Sequence, residues 1–175
     1  MLNLDNVKDN TVLVVAGPTA SGKSAVALEL AEKHGGIIIN ADASQIYKGI
    51  PIISAAPSEA DKLRCQHLLY EIFEPEMRGS VAEWLVLASQ AVRKTLKEGS
   101  RPIVVGGTGF YLESLINGVS PIPETREEIR CRTKNIFEKG GVEALYAELE
   151  SMDPQGAKMV HANDTTRVRR ALEIF

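Results

Sequence analysis

The chain has 175 residues, of which 44% are hydrophobic and 25% charged, and its formal net charge is -3 at pH 7. That length carries one full core, or a core with a small second unit, and the mildly acidic balance argues against nucleic-acid binding through bulk charge. No apolar run reaches membrane-span length, MLNLDNVKDN lacks the apolar stretch of a secretory leader, and Cys65 and Cys131 stand outside any CxxC spacing. A soluble cytoplasmic protein without a metal cluster or disulfide framework is therefore expected.

TVLVVAG (Thr11 to Gly17) is a continuous apolar run of strand length, suited to a parallel strand covered on both faces. From Lys23 to Lys33, Val26, Leu28, Leu30 and Ala31 recur at helical spacing until Gly35-Gly36 stops them. Between strand and helix lies Gly17-Pro18-Thr19-Ala20-Ser21-Gly22-Lys23-Ser24, which meets G-x-x-x-x-G-K-[ST] at every fixed position. Glycines let backbone N–H groups turn around an anion, the helix N-terminus adds its dipole, Lys23 adds a charge and Ser24 offers a hydroxyl to Mg2+. The loop predicts a bound di- or triphosphate with Mg2+ and leaves the reaction open.

GIIINAD predicts a second buried strand with Asp42 just past its carboxyl end. Asp42 fits two readings, a turn or capping residue and a base or metal ligand at the sheet edge. Residues 48–64 read as loop with at most short helices, and HLLYEIF (His67 to Phe73) as a third strand. Ser80 to Glu98 is the strongest helix, with Val81, Trp84, Leu85, Ala88, Ala91, Val92 and Leu96 on one face and a Ser80/Glu83 capping box. RPIVVGGTG predicts another buried strand, ending in Gly-Gly-Thr where many phosphoryl-transfer enzymes place an Asp, and a helix follows through Phe110, Leu112 and Leu115. This alternation predicts an α/β fold with a parallel sheet.

Beyond Gly118-Val-Ser-Pro-Ile-Pro123 only helical patterns remain: a charged one to Lys139, one through Val142, Leu145, Tyr146 and Leu149, and one through Val168, Ala171, Leu172 and Phe175. The expected division is an α/β core over 1–117 and a helical subdomain over 118–175. The last pattern stops without a capping residue, so the sequence reads as a fragment. Two basic groups, Arg126/Arg130/Arg132/Lys134 and Arg167/Arg169/Arg170, read on charge alone as solvated faces balanced by Glu127, Glu128 and Glu138. His34, His67 and His161 share no ligand spacing, and Trp84 belongs to an apolar helix face. Tyr47 and Tyr111 fit either packing or a pocket wall.

Several segments in one order resemble the tRNA dimethylallyltransferases (tRNA isopentenyltransferases): GPTASGKS; Asp42-Ala-Ser-Gln-Ile-Tyr47; Gly106-Gly-Thr-Gly-Phe-Tyr-Leu112; Ser120-Pro-Ile-Pro123; and His161-Ala-Asn-Asp164 followed by Arg167 and Arg169-Arg-Ala-Leu-Glu173. The resemblance implies a P-loop NTPase-like core. It also implies transfer of a dimethylallyl group from dimethylallyl diphosphate to the exocyclic N6 amine of an adenosine beside the anticodon in tRNA, by a monomer. By that resemblance Asp42 is the general base and Thr19 touches the diphosphate or its bridging oxygen. Asp42, Ala43, Ser44, Gln45 and Thr108 face the nucleotide, and Arg130, Thr166, Arg167, Arg169 and Arg170 contact the tRNA. Gln45 is the candidate reader of the adenine edge, and the extruded base enters a pocket.

The chain departs from the family pattern at Ala43, where the family has Ser, and at Ile53 and Ala56, where it has Gly and Lys. Ile53 is expected to narrow the pocket, and the loss of Lys to remove an anion contact. Three rivals remain: an adenylate isopentenyltransferase acting on free AMP, ADP or ATP, a P-loop small-molecule kinase, and a nucleotide- or RNA-binding protein without catalysis.

Overall fold

A computed structural model describes residues 10–120 and 125–175. The Pro121-Ile122-Pro123 linker and the first nine residues lie outside the described residues. The chain divides into two compact units, residues 1–119 and 120–175.

In the first unit the elements alternate as the apolar runs predict: β1 (Leu13–Ala16), α1 (Lys23–His34), β2 (Gly36–Asn40), short α2 (Pro51–Ser54) and α3 (Glu59–Arg64), β3 (His67–Leu68), α4 (Val81–Lys97), β4 (Arg101–Gly106) and α5 (Gly109–Asn117). The four strands form one sheet in the order β1-β4-β2-β3, with every pairing parallel. β4 thus lies between β1 and β2, with Ala16 opposite Gly106 and Asn40 opposite Val105. The segments leaving β1, β4 and β2 therefore emerge side by side at the carboxyl edge, where open α/β sheets bind ligands.

The strand period of two explains why β2 and β4 read as unbroken apolar runs. Ile38, Ile103 and Val105 pack on Ala27, Leu28 and Ala31 of α1. Ile39 and Val104, one residue out of phase, pack on Trp84, Ala88 and Tyr111 of α4 and α5. Both faces are covered, and each fully buried side chain of this size contributes about 1.5–3 kcal/mol. The capping box of α4 is present, with Ser80 Oγ accepting from Glu83 N and the Glu83 carboxylate accepting from Ser80 N.

Two expectations change. β1 is an edge strand covered on one face: Leu13 and Val15 pack toward α1, whereas Val14 on the other face is 44% exposed. The predicted strand over 67–73 ends after Leu68, because Leu69 and Glu71 take positive φ (64° and 51°) and leave the ladder. Tertiary bonds hold this costly backbone, with Asn40 Nδ2 donating to Leu69 O at 3.0 Å and Glu71 N to Gln45 O at 3.0 Å. Parallel pairing returns only as an isolated Tyr47–Phe73 bridge.

The second unit is helical: α6 (Glu127–Met152), α7 (Pro154–Ala157) and α8 (Thr165–Ile174). Gly140 and Gly141 break α6 where the sequence pattern changes, Gly141 at φ 65°. Leu145, Leu149, Ala157, Val168 and Leu172 form its core, while Phe175, placed on the same face by its spacing, is 67% exposed.

Candidate active site

The loop after β1 turns through left-handed positions at Ala20 (φ 63°) and Gly22 (φ 84°) into α1, whose first turn holds no acidic residue. The positive end of the helix is thus free of a competing carboxylate. Lys23 Nζ lies over the loop and donates to Pro18 O at 3.3 Å. Thr19, Ser21 and Ser24 are exposed.

β4 delivers Gly106 and Gly107 beside this loop. A Cβ on Gly106 would overlap the Ala41 carbonyl, so only glycine lets the ends of β4 and β2 approach this closely. A Cβ on Gly107 would stand 3.1 Å from Gly17 O, 3.6 Å from Asp42 Oδ2 and 3.9 Å from Lys23 Nζ. One point in space is thus ringed by the phosphate loop, a carboxylate oxygen and an ammonium group. Glycine keeps that point open.

Asp42 is held there from both ends. Asn40, fully buried, accepts the Asp42 N–H on Oδ1 at 2.9 Å and donates from Nδ2 to Asp42 O at 3.1 Å. Asp42 Oδ1 accepts from Ser44 N at 3.1 Å and Ser44 Oγ at 2.6 Å. Thr108 Oγ1 accepts from Ala43 N at 2.9 Å and Thr108 N donates to Ala41 O at 3.3 Å, which ties the Gly-Gly-Thr turn to the Asp42 segment. The sequence reading missed Asn40. Its signal was a polar residue closing an otherwise apolar strand, where a buried amide must find partners.

Gln45 does not sit as expected. It is buried, and its amide nitrogen donates to both Ser54 O and Ala55 O at 2.9 Å, so its two donors are spent on holding the backbone of residues 54–55. Ile53 does not narrow a pocket, being 86% exposed on α2. Ala56 does line one: a cavity of about 460 Å³ bounded by Ser24, Leu28, Ile38, Gln45, Ala56 and Tyr70, among others. Burial, with the Cys65 and Asp42 charges nearby, pushes the Tyr70 phenol far up, so it stays neutral. Tyr111 stacks on Trp84 with centroids 4.3 Å apart, and the Tyr47 hydroxyl accepts from Gly79 N at 3.2 Å, so both serve packing.

In the second unit the predicted tRNA-facing residues differ among themselves. Arg167 has a side chain 76% exposed, with Asp164 at 3.4 Å, and Thr166 is exposed. Arg130 is exposed with Glu127 at 3.9 Å, and Arg170 donates to Thr125 Oγ1 and Glu173. Arg169 instead lays its guanidinium 4.9 Å from the Phe137 ring centroid with Nε buried, a packing role. Among the described residues no three His, Cys, Asp or Glu side chains group to hold a metal, and no helix is long and apolar enough to cross a membrane. Cys65 and Cys131 are free.

A parallel sheet whose first strand runs through a glycine-rich phosphate loop into a helix is an α/β fold of the P-loop NTPase type. The family model described as IPP transferase matches residues 45–175. The tRNA dimethylallyltransferase of Azorhizobium caulinodans is 44% identical over 163 residues, covering 93% of this chain and 52% of that protein. That of Rhodospirillum centenum is 44% identical over 164 residues, 94% of this chain and 52% of that one. Among solved structures, a eukaryotic dimethylallyltransferase acting on tRNA superposes with a TM-score of 0.80 at 32% identity, over 93% of this chain and 40% of that one. The full-length tRNA isopentenylpyrophosphate transferase of Bacillus halodurans gives a TM-score of 0.62 at 32% identity, over 94% and 55%. The chain belongs to the IPP transferase family and spans about half the length of the relatives it matches.

Proposed function

We propose that the full-length protein transfers a dimethylallyl group from dimethylallyl diphosphate to the N6 amine of the adenosine next to the anticodon in tRNA, and releases diphosphate. We assign it to the cytoplasm, where it acts on tRNA as a monomer. The observation that carries this reading is the open point at Gly107, shared by Gly17 O, Asp42 Oδ2 and Lys23 Nζ. A diphosphate on the loop and a base beside it are what displacement at the adjoining carbon needs. Relatives bearing the same activity in their names support the choice of donor and acceptor.

The chemistry follows from charge. The allylic C1–O bond breaks as its electron pair leaves on the diphosphate, and the developing charge is met by the loop amides, Lys23 and the Thr19 hydroxyl at the bridging oxygen. N6 of adenine forms the new C–N bond, and its proton passes to Asp42 Oδ2, since an aromatic amine is too weakly basic to keep it. Mg2+ would be held here by the exposed Ser24 hydroxyl at the start of α1, beside the bound diphosphate. When bound, it neutralises the leaving group. The Gln45 amide NH2 is spent on backbone carbonyls, and the Asp42, Ala43, Ser44 and Thr108 N–H groups on Asn40, Thr108, Asp42 and Ala41, so the Thr108 hydroxyl, which accepts from Ala43 N, is assigned as a donor to the adenine edge. Arg130, Thr166, Arg167 and Arg170 are assigned to the tRNA backbone.

The test is an acceptor comparison. The full-length protein, given labelled dimethylallyl diphosphate, should label an anticodon stem-loop with adenosine at that position and leave AMP unlabelled. Label in AMP alone would identify a free-nucleotide enzyme instead.

A further inference from the structure

We propose that Ser44 is a positioning residue for Asp42, holding one carboxylate oxygen so that the other, Oδ2, faces the acceptor amine. This rests on the function proposed above and deepens its account of the base. A carboxylate has about four lone-pair sites on two oxygens, and which oxygen works depends on what occupies the other. Here both local donors fall on one atom: Ser44 Oγ reaches Asp42 Oδ1 at 2.6 Å and Ser44 N reaches it at 3.1 Å. Among the described residues no hydrogen bond is made to Oδ2. It is Oδ2 that lies 3.6 Å from the open point at Gly107, with Lys23 Nζ 3.9 Å from the same point.

The backbone of Asp42 is fixed by Asn40 on both its N–H and its carbonyl, so the side-chain torsions are the remaining freedom. The Ser44 hydroxyl removes that freedom. Without it one amide N–H remains, the carboxylate swings, and the oxygen presented to N6 is no longer fixed. Ala43 packs against the core and cannot donate from its side chain. The hydroxyl one residue later does this work. Ser44 is thus committed to the carboxylate rather than to RNA.

The experiment is steady-state transfer by the full-length protein, with dimethylallyl diphosphate and an anticodon stem-loop, for Ser44→Ala and Ser44→Thr, alone and combined with Asp42→Asn. Loss of a hydrogen bond to a charged group predicts that Ser44→Ala lowers kcat about 10- to 30-fold, with KM for both substrates within about twofold. Ser44→Thr, which keeps the hydroxyl, should return kcat to within about threefold of wild type. Added to Asp42→Asn, Ser44→Ala should cost less than about twofold more, because it acts through the carboxylate. A raised KM for RNA with kcat kept, or an undiminished loss in the Asp42→Asn background, would overturn the assignment of Ser44 alone. No transfer by the unmodified protein would overturn the function and this role with it.

Discussion

The Trp84 indole nitrogen donates to the Asn40 main-chain oxygen at 2.9 Å, tying α4 to the end of β2 two residues before Asp42. The carboxylate is thus braced from the core outward: indole to Asn40 carbonyl, Asn40 amide to the Asp42 backbone, Ser44 to the Asp42 side chain. The indole link is buried, the Asn40–Asp42 links are partly buried and the Ser44 link is exposed, so the stability cost of cutting them falls toward the carboxylate.

Trp84→Phe keeps an aromatic ring against Tyr111 but leaves the Asn40 carbonyl without its partner, and should lower unfolding free energy by about 1–2 kcal/mol. Asn40→Ala strands the Asp42 N–H and the Leu69 carbonyl together and should cost about 3 kcal/mol. Urea unfolding midpoints check both, with the larger shift expected at Asn40.

The adjacent glycines predict different phenotypes. Gly106→Ala drives a Cβ into the Ala41 carbonyl and should destabilise the fold by about 3 kcal/mol. Gly107→Ala fills the open point at an exposed position. Its Cβ would stand 3.1 Å from Gly17 O, so the loop must give slightly and stability should fall by about 1 kcal/mol, while binding of inorganic pyrophosphate with Mg2+ weakens about tenfold by calorimetry on the full-length protein.

Two arginines two residues apart should separate in the same way. Arg167→Ala should leave stability unchanged and reduce the slope of log affinity for tRNA against log salt by about one. Arg169→Ala removes the guanidinium from the Phe137 ring and should cost about 1 kcal/mol of stability instead.

Much of this was legible from residue pattern. The phosphate loop, the Ser80/Glu83 cap of α4, the buried β4 and the break at Gly140-Gly141 are all local signals, each set by residues within a few positions. The misses were tertiary. Leu69 and Glu71 carry no glycine or asparagine to announce positive φ, and the bonds that force it come from Asn40 and Gln45, far back in the chain. The fate of the Gln45 amide depends on where residues 54–55 fold, and the outward turn of Ile53 on the short helix α2. Of the site itself, the residue types at Lys23, Ser24 and Asp42 were legible. The meeting of Lys23 and Asp42 with the loop carbonyl of Gly17 at Gly107 follows only from β4 lying between β1 and β2.

His67 predicts a pH dependence. Burial holds its imidazole below the ordinary value of 6.5, against the opposing pull of the Cys65 carbonyl and the Asp61 charge. With the folded value depressed, the unfolded chain takes the proton first as pH falls, so stability drops through the unfolded value and levels off below the folded one. His67→Gln should flatten the fall in unfolding free energy between about pH 7 and pH 5. Identical slopes for variant and wild type would contradict this.

The central claim is that the diphosphate on the loop is a leaving group, and one double-label measurement reads it directly. The full-length protein is given dimethylallyl diphosphate carrying carbon label in the prenyl group and phosphorus label in the diphosphate, together with an anticodon stem-loop. The account predicts carbon label in the RNA and an equal amount of phosphorus label released as free diphosphate. Asp42→Ala should slow both about 10²–10⁴-fold. Phosphorus label in the acceptor, or phosphate transfer from ATP without any prenylation, would contradict it.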